Sequence, residues 1–314
     1  MARAYGIRTK AALAFEATYG TAPATGYNLM PFASIDLGAA QPLVASELLG
    51  LGRDPQAPSR DAITTDGNIV VPIDGANIGH WLKLLFGAPV TTGTSPNYTH
   101  TFNSGALTLP SVAIETAFPE VPSYAMATGV RADTFAVDMT RRGNLSATIG
   151  LIGQGEALAT TSAAGTPASA AVVRLNHFQG AIKRNTVALG NVVGASMTYS
   201  NGMAPVETIR ADGMIDGVDP TMASMTGNIV SRFADTTLLT QATDGTDCVL
   251  EFSWTASANL SLTWTAHSVY LPRPKRPVTG PGGIEARFDW QGAIATSPAR
   301  LCTVVLKNQV ASYA

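Results

Sequence analysis

Apolar and polar positions alternate along "GNIVVPID" (Gly67–Asp74), where Ile69, Val71 and Ile73 share one face of a predicted strand. The period then changes. Ile78, Trp81, Leu82 and Leu85 recur at helical spacing, which predicts a short helix with an apolar face. The same succession returns in "SMTGNIVSRFADTTLLTQA" (Ser224–Ala242). Ile229 and Phe233 share a strand face there, and Asp235 stands as the N-cap of a weaker helix. Gly-Asn-Ile-Val occurs in both stretches, at an offset of 160 (227 − 67). A second register supports the echo. "GNLSATIGLIG" (Gly143–Gly153) matches "GGIEARFDWQG" (Gly282–Gly292) at an offset of 139, setting Leu145, Ala147, Ile149 and Leu151 opposite Ile284, Ala286, Phe288 and Trp290.

The drop between the two offsets requires about twenty extra residues in the first copy, and the turn-rich "GAPVTTGTSPNYTHTFNSGAL" after the first helix supplies them. Upstream, "FASIDLGAAQP" resembles "GASMTYSNGMAP", and each precedes a long irregular stretch holding Asp-Pro, at Asp54-Pro55 and Asp219-Pro220. These matches predict a duplicated unit. Its order is strand, long loop, strand, helix, strands, glycine turn, strand. "GQGEALATTSAAGTPASAAV" (Gly153–Val172) reads as a linker or mobile loop between the copies. The expected organisation is an N-terminal arm over 1–20, a first domain over 21–160 and a second over 161–314. Short alternating strands broken by Gly, Pro and Asn, with one helix per copy, predict a mainly β chain of two tandem antiparallel β-sandwich domains, each flanked by one α-helix.

The two faces of these strands differ. Phe135, Val137 and Met139 form a core face, with Thr134, Ala136 and Asp138 opposite. The outward sets elsewhere are small or polar: Ser146, Thr148 and Gly150, then Ser196 and Thr198. Near Trp290 they are Glu285, Arg287, Asp289 and Gln291.

Composition narrows the function. Charged residues make up 13% of the chain, against roughly 25% in an average soluble domain. So little charge points to a surface largely covered by partner chains. The balance of 20 basic to 22 acidic residues leaves no basic field for binding nucleic acid through counterion release. The start carries no signal-peptide pattern, and no apolar run is long enough to span a membrane. Cys248 and Cys302 are far apart in strand-like runs and are expected to be buried free thiols.

No catalytic constellation emerges. His80, His100, His177 and His267 are scattered, without a metal-ligand spacing, and a surface or capping role is expected of His80, on the helix beside Trp81. There is no Gly-x-Ser-x-Gly elbow and no P-loop. "VTGPGGIEARF" runs into a strand, so it lacks the helix N-terminus that holds a phosphate, and its glycines are expected to supply positive φ in a tight turn. The pairs Asp216/Asp219 and Glu115/Glu120 lie in sequence with nothing to shift their pKa values, and the Asn-x-Ser/Thr sites at Asn97, Asn144 and Asn259 carry no weight without secretion. Arg273, Lys275 and Arg276 sit between prolines and are held extended and exposed, either solvated or in an inter-subunit contact. Arg141 and Arg142 occupy the corresponding loop in the first copy. No cofactor is expected.

"SELLGLGRDPQAPSRDAITTDGNIVVPIDGANIGHWLKLLFGAP" (Ser46–Pro89), together with "RPVTGPGGI" (Arg276–Ile284), resembles the tail tube proteins of long-tailed bacteriophages, over about Lys10 to Asn308. The resemblance implies β-sandwich domains whose strands join neighbours into a ring-shaped β-barrel, with rings stacked into a hollow tube. Single-domain members form hexameric rings, so a tandem form would give a pseudo-sixfold ring from three chains. It implies a structural virion protein rather than an enzyme, assembled in the bacterial cytoplasm. Its partners would be further copies of itself, the tape-measure protein and DNA transiently in the lumen, and tail terminator and distal tail proteins at the ends.

Within that picture Ser34, Asp36, Asp138, Ser146, Thr148, Ser196 and Thr198 are candidates for lining the lumen. Arg287 and Arg232 fit a lumen poorly and are expected to be paired or to face elsewhere. The loops at 39–62 and 201–224 and the N-terminal segment are candidates for ring-to-ring contact. Inter-ring or inter-subunit roles fall to Arg53, Asp54, Arg60, Arg141, Arg142, Arg210, Asp219, Arg273, Lys275 and Arg276. Alternatives are the tube of a gene-transfer particle or tailed bacteriocin, and a two-domain carbohydrate-binding module. The module would expose a cluster of aromatics, whereas Trp81, Trp254, Trp264 and Trp290 sit at positions patterned as core.

Overall fold

The computed structural model describes residues 3–276, 278 and 280–313. The earlier part of the chain forms β1 (Lys10–Phe15), β2 (Asn28–Met30), β3 (Ser34–Ile35), β4 (Gly38–Ala40), β5 (Leu43–Val44), β6 (Ser59–Arg60), β7 (Thr64–Pro72), α1 (Ile78–Phe86), β8 (Val90–Thr94), β9 (Asn97–Asn103), β10 (Val112–Phe118), β11 (Ser123–Met139), β12 (Ser146–Gly153) and β13 (Gly155–Ala159). The later part forms β14 (Gly180–Arg184), β15 (Val187–Ala188), β16 (Val192–Ser200), β17 (Met203–Val206), β18 (Gly217–Pro220), β19 (Ser224–Arg232), α2 (Thr237–Asp244), β20 (Cys248–Ser257), β21 (Leu260–Tyr270), β22 (Glu285–Ala293) and β23 (Cys302–Asn308).

The strands between named elements pair antiparallel. One ladder runs from β3 and β4 through β7, β12, the second part of β11, β16 and β19 to β22 and the end of β21. Another joins β2, β1, β10, the first part of β11 and β13. A third joins β15, β14, β20, β21, β23, β9 and β8. Because β11 and β21 each serve two ladders, all of these belong to one 19-stranded sheet. Gly129 allows β11 to change ladders: its φ is +63°, and a Cβ there would lie 2.8 Å from the Cβ of Gln154.

The offsets read from the sequence recur in the strand pairing. Ile69 faces Ile35 on one side and Ile149 on the other; Ile229 faces Ala195 and Phe288. The first two steps are 160 (229 − 69 and 195 − 35), and the third is 139 (288 − 149). The glycine of each Gly-Asn-Ile-Val is held by the same constraint. A Cβ on Gly67 would lie 2.7 Å from the Asp36 carbonyl oxygen, and one on Gly227 would lie 2.0 Å from that of Ser196. Asp36 and Ser196 are themselves related by 160, so the preceding strand approaches the glycine backbone in both copies.

Three segments differ from expectation. The N-terminal segment 1–20 is not a separate arm, because Lys10–Phe15 forms β1 between β2 and β10 with Ala11–Ala14 buried. The stretch 153–172 is not a free linker either. It contributes β13, and the buried Glu115 carboxylate accepts hydrogen bonds from Ser162 Oγ (2.6 Å), Ala163 N (2.6 Å) and Ala164 N (3.1 Å). The turn-rich insertion folds into the β8–β9 hairpin, whose β9 pairs with β23, so a strand from the first copy extends the sheet of the second. Composition alone could not show that this hairpin has a sheet edge to join.

The core is continuous. Phe135 of β11 stacks on Trp264 of β21 at 5.0 Å, Phe86 of α1 lies 4.7 Å from Tyr199 of β16, and Phe252 stacks on Trp290 at 5.7 Å. Asn201 closes the joint: its side-chain amide donates to the carbonyls of Leu85 and Ala132, both at 3.0 Å. Before α1, the buried Asp74 carboxylate accepts from Ala76 N and Asn77 N, where the helix dipole favours negative charge. Asp235 acts similarly one residue outside the α2 cap, accepting from Thr237 N at 2.9 Å.

Helix α1 buries Leu84 and Phe86 as well as the expected Ile78, Trp81, Leu82 and Leu85, Phe86 packing against Tyr199 and Trp264, while the C-terminal tail meets the Gly79–His80 side. Tyr313 packs where a Cβ on Gly79 would stand, donates to Ala76 O at 2.5 Å, and lies edge-on to His80 at 5.2 Å. His100 is fully buried on β9 and bonds Asn308 Oδ1 (3.0 Å) and Val310 O (2.9 Å) through Nε2. Cys248 and Cys302 are buried free thiols, as the sequence implies.

Two stability predictions follow from these contacts. Gly227→Ala should cost about 1–3 kcal/mol in chemical denaturation, because the alanine methyl meets backbone, whereas Gly190→Ala, with nothing within 4 Å of its Cβ, should be close to neutral. Burial, and then the nearby Lys83, lower the His80 pKa from 6.5 to about 4. The unfolded chain therefore binds the extra proton first, and stability present above pH 6.5 drains away as pH falls toward 4, by roughly 3 kcal/mol. His80→Leu should flatten that part of the Tm profile; an unchanged acid limb would assign it to other groups.

Candidate functional site

The face of the first ladder opposite the core is the broadest polar surface built by the strand pattern. One row crosses eight strands in register: Ser34, Val70, Thr148, Ala136, Thr198, Thr226, Gln291 and Tyr270. A parallel row runs Asp138, Ser196, Asn228 and Asp289. Period-two alternation puts all these side chains on one side, while Ile69, Ile149, Phe135, Tyr199 and Ile229 are buried on the other.

The sequence-derived residues fall on this face. Ser34, Asp36 and Asp138 are exposed, and Ser146, Thr148, Ser196 and Thr198 are half-buried among their strand neighbours. Asn228 Nδ2 donates to Ser196 Oγ, and Asn68 N donates to Asp36 Oδ1. Arg287 shares the face and is paired, its Nε 2.9 Å from Asp289 Oδ1. Arg232 lies at the same end, exposed. The ladder's strands carry no lysine, and Asp36, Asp66, Asp138, Glu285 and Asp289 outnumber the two arginines on this face. The result is a hydroxyl- and carboxylate-bearing surface.

The predicted contact loops divide into two behaviours. The loop at 201–224 forms the β17–β18 hairpin and seats on the earlier part of its own chain. Met203 and Val218 pack with Leu109 and Ile152, and the Arg131 guanidinium donates to Val218 O while lying 5.0 Å from the Tyr19 ring. Burial raises the Tyr19 pKa to about 12. Arg210 is held in its own hairpin by Asp212 (2.8 Å) and Asp216 (2.9 Å), and its hydrogen bond brings the Asp212 carboxyl down to about 2. Asp219 is exposed nearby.

The loop at 39–62 forms the β5–β6 hairpin, on which Arg53, Asp54 and Arg60 are exposed, as are Leu43, Leu48, Leu49 and Leu51. Those leucines were missed in the sequence, because they lie in an irregular Gly/Pro segment without periodicity. Arg141, Arg142, Arg273, Lys275 and Arg276 are exposed as expected, with Arg276 over the Phe233 ring at 5.2 Å. Gly280, Gly282 and Gly283 do not adopt the positive φ expected of them, although the chain bends over 280–282 before β22.

Among the described residues no group of three or more His, Cys, Asp or Glu side chains could hold a metal ion. His267 Nε2 lies 2.8 Å from Thr303 Oγ1, a bond between adjacent strands β21 and β23. All four tryptophans are buried. No helix among the described residues is long and apolar enough to cross a membrane.

Extended antiparallel ladders with a small-residue polar face define a mainly β protein. A family model described as phage tail tube protein matches residues 6–292, and the chain belongs to that family. Its role is therefore that of a tail tube structural protein, a self-assembling component of the virion tail. No curated protein matches the sequence.

Proposed function

We propose that the chain is the ring-forming subunit of a phage tail tube in which two fused copies of one sheet unit, over 21–160 and 161–314, take the place of two subunits. Three chains then make a pseudo-sixfold ring, and stacked rings make a tube that conducts viral DNA from capsid to host cell. The observation that carries the reading is the β11–β16 joint. There Thr134–Met139 pairs with Ser200–Ala195, and the polar ladder passes from one copy to the next without losing register. Its β3–β4 end is the counterpart of β16 by 160, and its Tyr270 end is the counterpart by 139 of the Arg131 part of β11. Repeating the joint between chains closes this ladder into a barrel and leaves neither of its two ends unpaired.

The same face lines the lumen in this reading. Ser34, Asp36, Asp138, Ser146, Thr148, Ser196 and Thr198 would give sliding DNA hydroxyls and carboxylates in place of the ammonium groups that would hold its phosphates. The tape-measure protein would occupy the lumen before DNA, and terminator and distal tail proteins would cap the tube. Arg53, Arg60, Arg141, Arg142, Arg273, Lys275 and Arg276, exposed on loops, are assigned to contacts between subunits or rings.

Electron microscopy of the purified protein tests the ring: open-pored rings of three chains are expected, and a compact monomer persisting at high concentration would overturn the proposal. For the lumen, Ser146→Lys with Thr148→Lys should leave tube assembly intact while infectivity per particle falls. Unchanged infectivity would remove both residues from the DNA path.

A further inference from the structure

The two irregular hairpins are equivalent residue by residue. Leu43 pairs with Arg60 as Met203 pairs with Pro220, both related by 160. The hydrogen bond from Asp61 N to Pro42 O recurs as Thr221 N to Gly202 O, each at 3.0 Å. No insertion separates the hairpins, so the correspondence holds through their tips. Yet their surroundings are opposite. Met203 is 8% exposed on its intrachain seat, whereas Leu43 is 65% exposed.

The seat of the second hairpin is well defined. Ile152 packs against Met203 and Val218, Arg131 donates to Val218 O, and the Met214 side chain occupies the space over Gly155. Shifting those three seat positions by 139, the offset that relates β12 to β22 and matches Arg131–Ile152 with Tyr270–Gln291, gives Gln291, Tyr270 and Ile294. On the isolated chain this corresponding surface is uncovered: Tyr270 is 47% exposed and Ile294 72%. One chain therefore has an apolar hairpin without a seat and a seat without a hairpin.

We propose that the β5–β6 hairpin of one chain seats on Tyr270, Gln291 and Ile294 of a neighbouring copy in the same ring, as the β17–β18 hairpin seats on its own chain. The inference rests on the ring reading above and adds a lateral clasp to it. Distance along the chain prevents the contact from being made internally in the same geometry, because the Tyr270 end of the ladder lies seven strand-to-strand steps from β3. The contact is heterologous, head-to-tail, and is satisfied in every chain only when the chains close into a ring.

Paired cysteines test it. Asp54 corresponds to Met214, and Ile294 to Gly155, so Asp54→Cys with Ile294→Cys should yield interchain disulfides in unstacked rings, running as closed oligomers on non-reducing gels. Gly155→Cys with Met214→Cys should cross-link within one chain and confirms the template geometry. The native thiols are buried and do not interfere. Rings visible by microscopy but without the interchain bond, or with it only after stacking, would overturn the clasp and leave the ring standing. Absence of rings even from the unmodified protein would overturn both. Independently, Leu43→Asp should lower ring yield at least about tenfold with an unchanged Tm, since Leu43 is exposed on the single chain; normal assembly of that variant would also sink the clasp.

Discussion

A β-strand satisfies its peptide groups only when both neighbours are present, and this requirement organises the whole chain. Most long strands pair within their own copy of the repeat, and two pairings carry the sheet from one copy to the other. Strand β11 gives its second part to β16, and β9 leaves the first copy to cover β23. The helices, caps and C-terminal tail then serve that arrangement. Asn201 satisfies carbonyls from α1 and β11 at the joint, and Tyr313 fixes α1 against the hairpin that carries His100. In the proposed ring, fusion of two copies converts one joint between subunits into an internal one, held by covalent linkage and by a shared aromatic core.

The same requirement explains the sparse charge. A surface destined to pair through backbone and small side chains has little use for long charged groups, whose desolvation would oppose association. Charges are found where chain direction changes or where a hairpin tip must be held, as with Arg210 between Asp212 and Asp216. On the polar face Arg287 is balanced by Asp289 and the carboxylates outnumber the arginines, so the face keeps an acidic bias. In the proposed lumen that bias avoids the attraction that would slow a polyanion's transit.

Much of the fold was legible because its periodicities are clean. Ile69, Val71 and Ile73 alternate as a strand must, and Trp81, Leu82 and Leu85 recur as a helix must. Two short matches therefore located strands whose registers agree to the residue. The polar face was readable for the same reason: Ser146, Thr148, Ser196 and Thr198 alternate with core residues. What escaped was decided by contacts distant in sequence. Nothing local in "TTSAAG" says that Ser162 and Ala163 will cap the carboxylate of Glu115, or that Tyr313 will turn His80 into a half-buried group with a lowered pKa. The exposed leucines of the β5–β6 hairpin escaped for a related reason, since an apolar residue in an aperiodic loop has meaning only once its equivalent is seen buried.

Internal duplication makes such comparison possible within a single chain. Where two equivalent residues share an environment, as Gly67 and Gly227 do, the shared contact identifies what the fold demands of the position. Where equivalents differ, as Leu43 and Met203 do, the difference identifies what the isolated chain lacks. An apolar side chain kept at the exposed position costs solubility unless a partner covers it. The buried copy shows the geometry of that cover, and the vacant counterpart of its seat lies at the opposite end of the strand ladder. Complementary features at opposite ends of one ladder are what a closed, head-to-tail assembly requires, whereas a monomeric two-copy protein would gain nothing from keeping them.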